Sequence, residues 1–182
     1  MGNKEVFPLK IAIIGYSGAG KSTLAKRLSK QFDLPLIYLD TIHWKPNWNE
    51  REDAESCEVI SEFMDENENW VIDGNYRKLL HERRMEEADY IVFFDYPARV
   101  CLKRAKQRFK EYAGRNRESM TYGCEEKFDK EFRRWILKDG RDKYKKAAYE
   151  RIAAKYPEKF IRCKKDEDVE AFVKMLKSKA ER

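Results

Sequence analysis

The sequence has no long hydrophobic run. Nowhere do its apolar segments approach the ~20 consecutive apolar residues that a membrane-spanning helix needs. The polar N-terminal segment, Met1–Glu5, passes directly into a short apolar segment and does not have the form of a secretory leader. We therefore expect a cytoplasmic protein that does not use a membrane as a partner.

Cysteine and histidine are both scarce. The four cysteines are scattered, form no C-x-x-C pair, and have no histidine cluster beside them. This spacing argues against a zinc site and against a disulfide framework. We expect four free thiols, at Cys57, Cys101, Cys124 and Cys163.

Linkers, repeats and low-complexity tracts are also missing. The 182 residues fall within the usual length of one domain, and ten Phe, ten Tyr and four Trp are too many for a disordered chain. We expect a single folded domain covering residues 1–182, with no indication of whether it is a monomer or a homodimer.

The charge balance is moderately basic. Thirty-nine Lys and Arg stand against 33 Asp and Glu, which gives a net charge of +6, and most of the surplus lies in residues 99–151. A surplus of this size suits a nucleic-acid partner, but it equally suits a protein whose ligands are polyphosphates.

Apolar runs alternate with amphipathic segments along the chain. Near-continuous apolar runs indicate buried strands at 10–14, 36–39, 70–73, 90–94 and 160–163. Strands of this kind, separated by helices, predict an α/β fold with a parallel sheet covered on both faces. The pattern also predicts a loop over 41–49, a capping box from Asn49 to Glu52, helices over 76–87, 125–138 and 141–155, and a last helix capped by Asp166.

A phosphate-binding loop follows the first predicted strand. Gly15–Thr23 reads G-Y-S-G-A-G-K-S-T and fits G-x-x-x-x-G-K-[ST] in full. Gly15 and Gly20 let the backbone wrap a polyphosphate, whose charge the loop N–H groups and the following helix N-terminus hold. Lys21 is expected to bind the β- and γ-phosphates and to act as a catalytic residue, and the Ser22 hydroxyl is expected to bind Mg²⁺. The predicted ATP-binding residues here are Gly15, Ser17, Gly18, Ala19, Gly20, Lys21, Ser22 and Thr23.

Four segments carry a family resemblance over nearly the whole chain: I-A-I-I-G-Y-S-G-A-G-K-S-T, Y-L-D-T-I-H-W-K-P-N-W, W-V-I-D-G-N-Y and D-Y-I-V-F-F-D-Y-P. The chain resembles the nucleoside and nucleotide kinase branch of P-loop proteins, and looks most like the adenylate-kinase-like bacterial DNA topology modulation proteins. The resemblance implies a three-layer P-loop NTPase sandwich with a five-stranded parallel sheet of order 2-3-1-4-5. It also implies an acceptor-binding insert at about 40–70 and a short lid at about 112–140.

The resemblance assigns roles after the third and fourth strands. Asp73-Gly74-Asn75-Tyr76-Arg77 resembles the adenylate kinase sequence D-G-F-P-R, which implies that Asp73 orients Mg²⁺ and that Gly74 and Arg77 contact the acceptor. Asn75-Tyr76 replaces Phe-Pro here, a departure that bears on the role of Arg77.

The same resemblance links Asp95-Tyr96-Pro97 with two arginines on the next helix. It implies that Arg104 lies against adenine and that Arg108 contacts phosphates. Their spacing of four places both on one helix face. The alternative is that they are solvated members of a basic helix.

Cations in the lid are candidates for stabilising the transferring phosphoryl group. Arg133 or Arg134 is the predicted catalytic arginine, with Lys138 and Arg141 nearby. The alternative is a solvated helical face.

Asp40 ends the second predicted strand, at the sheet edge where open α/β sheets bind ligands. In similar nucleoside and shikimate kinases an Asp at this place binds the accepting hydroxyl, so Asp40 is our candidate acceptor ligand or general base. His43 and Trp44 are candidate substrate contacts, Trp48 a weaker one, and His81 is expected at the surface.

Together these features predict an ATP- and Mg²⁺-dependent phosphotransferase acting on a small acceptor such as a nucleoside or nucleotide. The alternative is a nucleic-acid-associated or regulatory ATPase affecting DNA topology, although the sequence holds no nucleic-acid-binding motif. A GTPase switch is disfavoured because an N-K-x-D motif is missing.

Overall fold

The structure, a computed structural model, describes residues 9–181; Met1–Glu5, where no leader was expected, lies outside them. Five parallel strands form one sheet: β1 (Lys10–Gly15), β2 (Leu36–Tyr38), β3 (Trp70–Asp73), β4 (Tyr90–Phe94) and β5 (Phe160–Cys163). The strand order is β2-β3-β1-β4-β5, which confirms the predicted 2-3-1-4-5 order.

Helices flank the sheet on both faces. Tyr90 and Phe93 lie three residues apart in β4 and so point to opposite faces. Phe172 packs against Tyr90, with ring centroids 5.5 Å apart, and Tyr149 stacks on Phe93 at 4.2 Å. The eight α-helices of the described residues are α1 (Lys21–Phe32), α2 (Leu39–His43), α3 (Asp53–Glu66), α4 (His81–Glu87), α5 (Ala98–Glu111), α6 (Lys130–Leu137), α7 (Lys143–Lys155) and α8 (Asp166–Ala180).

The segment after β2 is more regular than the predicted loop over 41–49. It holds α2 and then a small hairpin, whose strands Trp44–Lys45 and Asn49–Glu50 flank a 3-10 turn at Pro46–Trp48. The capping box at Asn49 was wrong. Asn49 pairs with Lys45 in the hairpin and its side chain donates to the Pro46 carbonyl, while α3 begins four residues later.

The helix predicted over 76–87 begins only at His81. The side chain of Arg84 is fully buried and donates to three backbone carbonyls, those of Gly74 (3.2 Å), Tyr76 (2.7 Å) and Leu79 (2.8 Å). These bonds hold residues 74–79 as a loop, because the guanidinium satisfies carbonyls that a helix would pair with its own N–H groups. The Tyr76 carbonyl in addition accepts a turn bond from the Leu79 N–H at 3.4 Å.

Two further helix starts differ from prediction. The helix expected over 125–138 begins at Lys130, where the Asp129 side chain caps it by accepting from the Phe132 N–H at 2.7 Å. Asp166 is not the cap of α8. It lies inside the first turn, and Asp168 makes the capping contact with the Lys165 N–H.

The four cysteines are free thiols. Within residues 9–181, no helix has the length and apolar character required to cross a bilayer.

Candidate active site

A cavity of about 1790 Å³ opens where β1, β3 and β4 end. Gly15, Asp73 and Phe94 are the last residues of these strands, and all three strands run parallel, so their carboxyl ends share one edge. Ligands of open α/β sheets bind at this edge. The cavity therefore lies where the fold makes a ligand site.

The phosphate-binding loop is held tightly against β4. Gly15 has φ 137°, and a Cβ placed on it would lie 2.6 Å from the Phe94 carbonyl oxygen, so only glycine fits. Asn75 clamps the same residue from the other side: its Oδ1 accepts from the Gly15 N–H at 2.7 Å and its Nδ2 donates to the Gly15 carbonyl at 2.5 Å. The loop backbone is thereby fixed on both sides.

Lys21, Ser22 and Asp73 meet at the start of α1. The Lys21 ammonium donates to the Tyr16 carbonyl at 3.1 Å, and the Ser22 hydroxyl donates to Asp73 Oδ2 at 2.6 Å. Burial raises the pKa of Asp73 to about 6, against the opposing effects of Lys21 and the Ser22 hydrogen bond. Asp73 Oδ1 is buried without a partner. One hydroxyl and one carboxylate with an unused oxygen are hard donors that fit Mg²⁺, which otherwise keeps waters and phosphate oxygens as ligands.

Arg104 borders the phosphate-binding loop. Its Nη1 donates to the Ala19 carbonyl at 2.6 Å, its Nη2 contacts both Asp166 oxygens at 2.7 Å, and its guanidinium lies 4.6 Å from the Tyr96 ring centroid. These contacts hold the guanidinium against the loop. This is a position from which a guanidinium can stack on a bound ring.

Arg108 lies one helical turn further along α5. It belongs to what we call the buried ion cluster, after its nearly buried pair Arg117 and Glu126: Asp40, Arg108, Arg117 and Glu126. Glu126 accepts from Arg108 Nε at 2.9 Å and pairs with Arg117. Arg117 also approaches Asp40, with Nη2 and Oδ2 3.9 Å apart. Burial, and then the nearby Arg117 charge, lower the pKa of Arg108. The cluster forms one side of the cavity.

Contacts to the hairpin hold the loop that carries Arg117 and Glu126. The Thr121 hydroxyl donates to the Trp44 carbonyl at 2.6 Å, and the Cys124 thiol contacts the Lys45 carbonyl oxygen at 3.4 Å. Residues 117–126 therefore roof the cavity next to Asp40.

Aromatic side chains line the cavity beside the cluster. The Tyr76 hydroxyl donates to Asp40 Oδ1 at 2.8 Å. Trp44 and Trp48 both face the cavity, with ring centroids 5.3 Å apart. His43 does not line the cavity: its ring packs 4.5 Å from Tyr76 and 4.6 Å from Trp44, and its buried Nδ1 has no partner.

His81 was expected at the surface, but it is half-buried and lines the cavity. Burial, and then the charges of Arg84 and Arg77, lower the pKa of His81 to about 4. Arg77 itself lines the cavity from an exposed position.

The two predicted lid arginines lie outside the cavity lining. Arg133 donates to the Asp129 carbonyl at 3.2 Å, and Arg134 pairs with Asp139 on the exposed side of α6. The same helix nevertheless touches the phosphate-binding loop, because Trp135 Nε1 donates to Ser17 Oγ at 3.2 Å.

Most of the remaining predicted residues do come together. The lining includes Ser17, Gly18, Ala19, Gly20, Thr23 and Gly74, but not Gly15. The sequence reasoning missed Asn75, Tyr76, Arg117 and Glu126. For Asn75 and Tyr76 the signal was present, since both follow the end of β3 directly; for Arg117 and Glu126 nothing in the local pattern marked them.

Residues 11–131 match a family model described as an AAA domain. The chain belongs to the AAA domain family. The AAA domain match starts in β1 and ends in α6, so it contains the phosphate-binding loop, Asp73 and all of the buried ion cluster.

Relatives of this AAA domain include the uncharacterized protein YqaC of Bacillus subtilis, 30% identical over 128 residues that cover 69% of each chain. A shikimate kinase of Rhodopirellula baltica is 48% identical over 42 residues, but the match spans only 22% of that enzyme and 23% of this chain.

Two solved structures share the fold. A deoxyadenosine kinase from M. mycoides with bound dATP aligns with a TM-score of 0.54 at 15% identity, over 96% of this chain and all of the other. An uncharacterized protein from Eubacterium ventriosum aligns with a TM-score of 0.52 at 17% identity, over 93% of this chain and 99% of the other. The AAA domain thus has the P-loop kinase fold.

Proposed function

We propose that this AAA domain is a phosphotransferase that moves the γ-phosphoryl group of Mg-ATP to a small acceptor, such as a nucleoside, nucleotide or similar metabolite. One observation carries the proposal: a single cavity joins the phosphate-binding loop to a second, chemically distinct wall formed by Asp40, Tyr76 and the buried ion cluster. A nucleotide hydrolase needs only the first wall. The similarity to a deoxyadenosine kinase and to a shikimate kinase supports the same conclusion.

In this mechanism the loop N–H groups and Lys21 hold the β- and γ-phosphates. Lys21 exchanges its bond to the Tyr16 carbonyl for phosphate oxygens. Ser22 and Asp73 would hold Mg²⁺, which when bound neutralises charge on the β- and γ-oxygens. Asp73 acts directly or through a water.

Asp40 receives the acceptor. The acceptor hydroxyl replaces the Tyr76 hydroxyl on Asp40, its oxygen attacks the γ-phosphorus, and Asp40 takes the proton as the bond to the β-γ bridging oxygen breaks and ADP leaves. Gly74, Trp44 and Arg77 border this space, and His43 supports it from behind Trp44 and Tyr76.

Arg104 and Arg108 line the cavity on one face of α5. We assign Arg104 to the adenine side and Arg108 to the ATP phosphates through its Nη groups, since Glu126 takes only its Nε. We retain Arg133 and Arg134 as candidate lid arginines, since α6 already reaches Ser17 through Trp135. In this proposal residues 1–182 act as one domain, with an acceptor insert at about 40–70 and a lid at about 112–140.

A nucleic-acid-associated ATPase, as the topology modulation resemblance suggests, is the second candidate. It rests on the net charge of +6. Arginines of the cavity are nevertheless engaged by carboxylates, Arg104 by Asp166 and Arg108 by Glu126, so they offer little free charge for a phosphate backbone. We therefore rank the kinase first.

The test is ADP release from Mg-ATP across a panel of nucleosides, nucleoside monophosphates and small hydroxy acids. Lys21→Ala is compared with Lys30→Ala, which removes an exposed lysine from the same helix. We expect one acceptor class to raise turnover well above background in the wild type and in Lys30→Ala, with loss in Lys21→Ala. A flat panel with Lys21-dependent hydrolysis would contradict the kinase and make DNA the next ligand.

A further inference from the structure

The charges of the buried ion cluster balance within the cluster itself. Glu126 engages both arginines, through Arg108 Nε at 2.9 Å and through Arg117. The Glu126 side chain is only 6% exposed and that of Arg117 11% exposed. With Asp40 beside Arg117, two cations face two anions. Glu126 and Arg117 are the most deeply buried of the four, whereas the Arg108 side chain is 27% and the Asp40 side chain 38% exposed. Removing one partner of the inner pair would leave an uncompensated charge.

Glu126 is held in this position by its own loop. Thr121 and Cys124, on the N-terminal side of Glu126, are bonded to the carbonyls of Trp44 and Lys45. Arg117, on the same loop, donates to the Ser119 hydroxyl at 2.7 Å. The Glu126 carboxylate therefore stays bound to Arg108 and Arg117 as part of the packed roof of the cavity.

An anionic acceptor is disfavoured by this arrangement. Its phosphate or carboxylate would have to displace Glu126 from the arginines and would then stand near the carboxylates of Asp40 and Asp73. Other cations also line the cavity, among them Arg77 and Lys127, whose ammonium lies over the Trp48 ring. Both are exposed, so water and salt screen their charges.

An uncharged acceptor meets complementary groups in the same space. Asp40 and the Tyr76 hydroxyl accept and donate hydrogen bonds, and the rings of Trp44 and Trp48 face the cavity. Aromatic faces suit a planar or apolar ring, and a hydroxyl group needs one acceptor and one donor.

We propose that Glu126 is a specificity-determining residue: by neutralising Arg108 and Arg117 it makes this site select an uncharged, hydroxyl-bearing acceptor over one that carries a phosphate or a carboxylate. This inference rests on the proposed function, since it names the acceptor class of the same cavity. Glu126 acts through the two arginines and is not itself a catalytic residue.

The test measures inorganic phosphate binding by calorimetry, with Mg²⁺ and a non-hydrolysable ATP analogue saturating the phosphate-binding loop. Glu126→Gln frees the arginines, and we expect it to bind phosphate at least about tenfold more tightly than the wild type. The matched control is Glu118→Gln, which removes an equal charge from the lining of the same cavity, but from a residue that is 60% exposed and paired with Lys26; it should bind phosphate like the wild type. Equal phosphate affinity in wild type and Glu126→Gln would overturn the inference.

A second measurement uses the wild type alone and so does not depend on the variant folding. Turnover is compared within matched pairs, each a nucleoside and its own 5′-monophosphate, or a polyol and the corresponding hydroxy acid. Preference for the uncharged member supports the inference, whereas preference for the anionic member overturns it and leaves the kinase intact. Absence of turnover for both members counts against the proposed function, and the phosphate-binding difference then decides the role of Glu126 by itself.

Discussion

Replacement of Gly15 by alanine tests how closely the phosphate-binding loop approaches the sheet. An added Cβ would lie 2.6 Å from the Phe94 carbonyl oxygen and 2.7 Å from both its nitrogen and its Cβ. All three atoms belong to the backbone of β4 or are fixed to it, so they cannot move aside as a flexible side-chain tip can. The φ of 137° adds strain that any L side chain would feel.

The cost follows from two separate effects. Backbone strain at such a φ is on the order of 1–3 kcal/mol, and forcing an extra carbon into a packed interior costs roughly 1–3 kcal/mol or more. We expect Gly15→Ala to lower the free energy of unfolding by about 4 kcal/mol. Gly114→Ala is the matched control: Gly114 also has positive φ, 67°, but nothing lies within 4 Å of an added Cβ. It should cost only about 1 kcal/mol.

Urea denaturation followed by circular dichroism measures both variants against the wild type. The free energies of unfolding of the two alanine variants should differ by about 3 kcal/mol, because only Gly15→Ala adds a clash with β4 to the strain of a positive φ. If Gly15→Ala proves no less stable than Gly114→Ala, then β4 does not approach the loop as closely as described, and the account of the loop's rigidity fails.

Three further predictions concern residues around the loop. Asn75→Ala removes two hydrogen bonds to Gly15; we expect a loss of about 2 kcal/mol in urea denaturation and weaker ATP binding by calorimetry, and unchanged ATP affinity would contradict the clamp. Asp73→Asn removes a buried charge with an unpartnered oxygen, so without Mg²⁺ the melting temperature should rise, while the Mg²⁺ concentration for half-maximal ADP release should rise about tenfold or more. His81 has a folded-state pKa of about 4, below its ordinary 6.5, so the unfolded chain binds the proton first and stability falls as pH drops from 6.5 towards 4. At pH 5 the loss, relative to pH 7, should be about 1 kcal/mol larger in wild type than in His81→Asn, allowing for partial exposure; equal losses would rule out this role for His81.

The sheet was predictable because its strands are near-continuous apolar runs, with Arg162 in the edge strand β5 as an exception. The interiors of β1, β3 and β4 hold only Ile, Val, Ala and Phe, which is the pattern of strands buried on both faces. Helix starts were less predictable, since they depend on distant contacts. The buried guanidinium of Arg84 keeps residues 74–79 out of a helix. The helix propensity of the local sequence does not predict hydrogen bonds of this kind.

The candidate site likewise has residues that the local sequence marks and residues that only distant contacts reveal. The phosphate-binding loop is contiguous, so a local motif can mark it. The roles of Asp73, Arg104 and Arg108 came from the resemblance to adenylate kinases and stay predictions, although all three line the cavity. Arg117 and Glu126 lie in an irregular stretch rich in charge, and only the three-dimensional pairing with Arg108 and Asp40 distinguishes them from solvated neighbours. A buried ion pair leaves no periodicity in the sequence.

The strand order has a consequence for how the chain acquires its structure during synthesis. The central strand β1 is made first, yet its two neighbours are β3 and β4, so Ile11 pairs with Val71 and Tyr90, about 60 and 79 residues later. The edge strand β5, which pairs with β4, comes only at Phe160. Non-local pairing of this kind slows folding. A nascent chain on the ribosome therefore carries an unpaired β1, with its apolar run Ile11–Ile14, until β3 and β4 have emerged. During that interval we expect a chaperone that shields apolar segments to have its largest effect on folding.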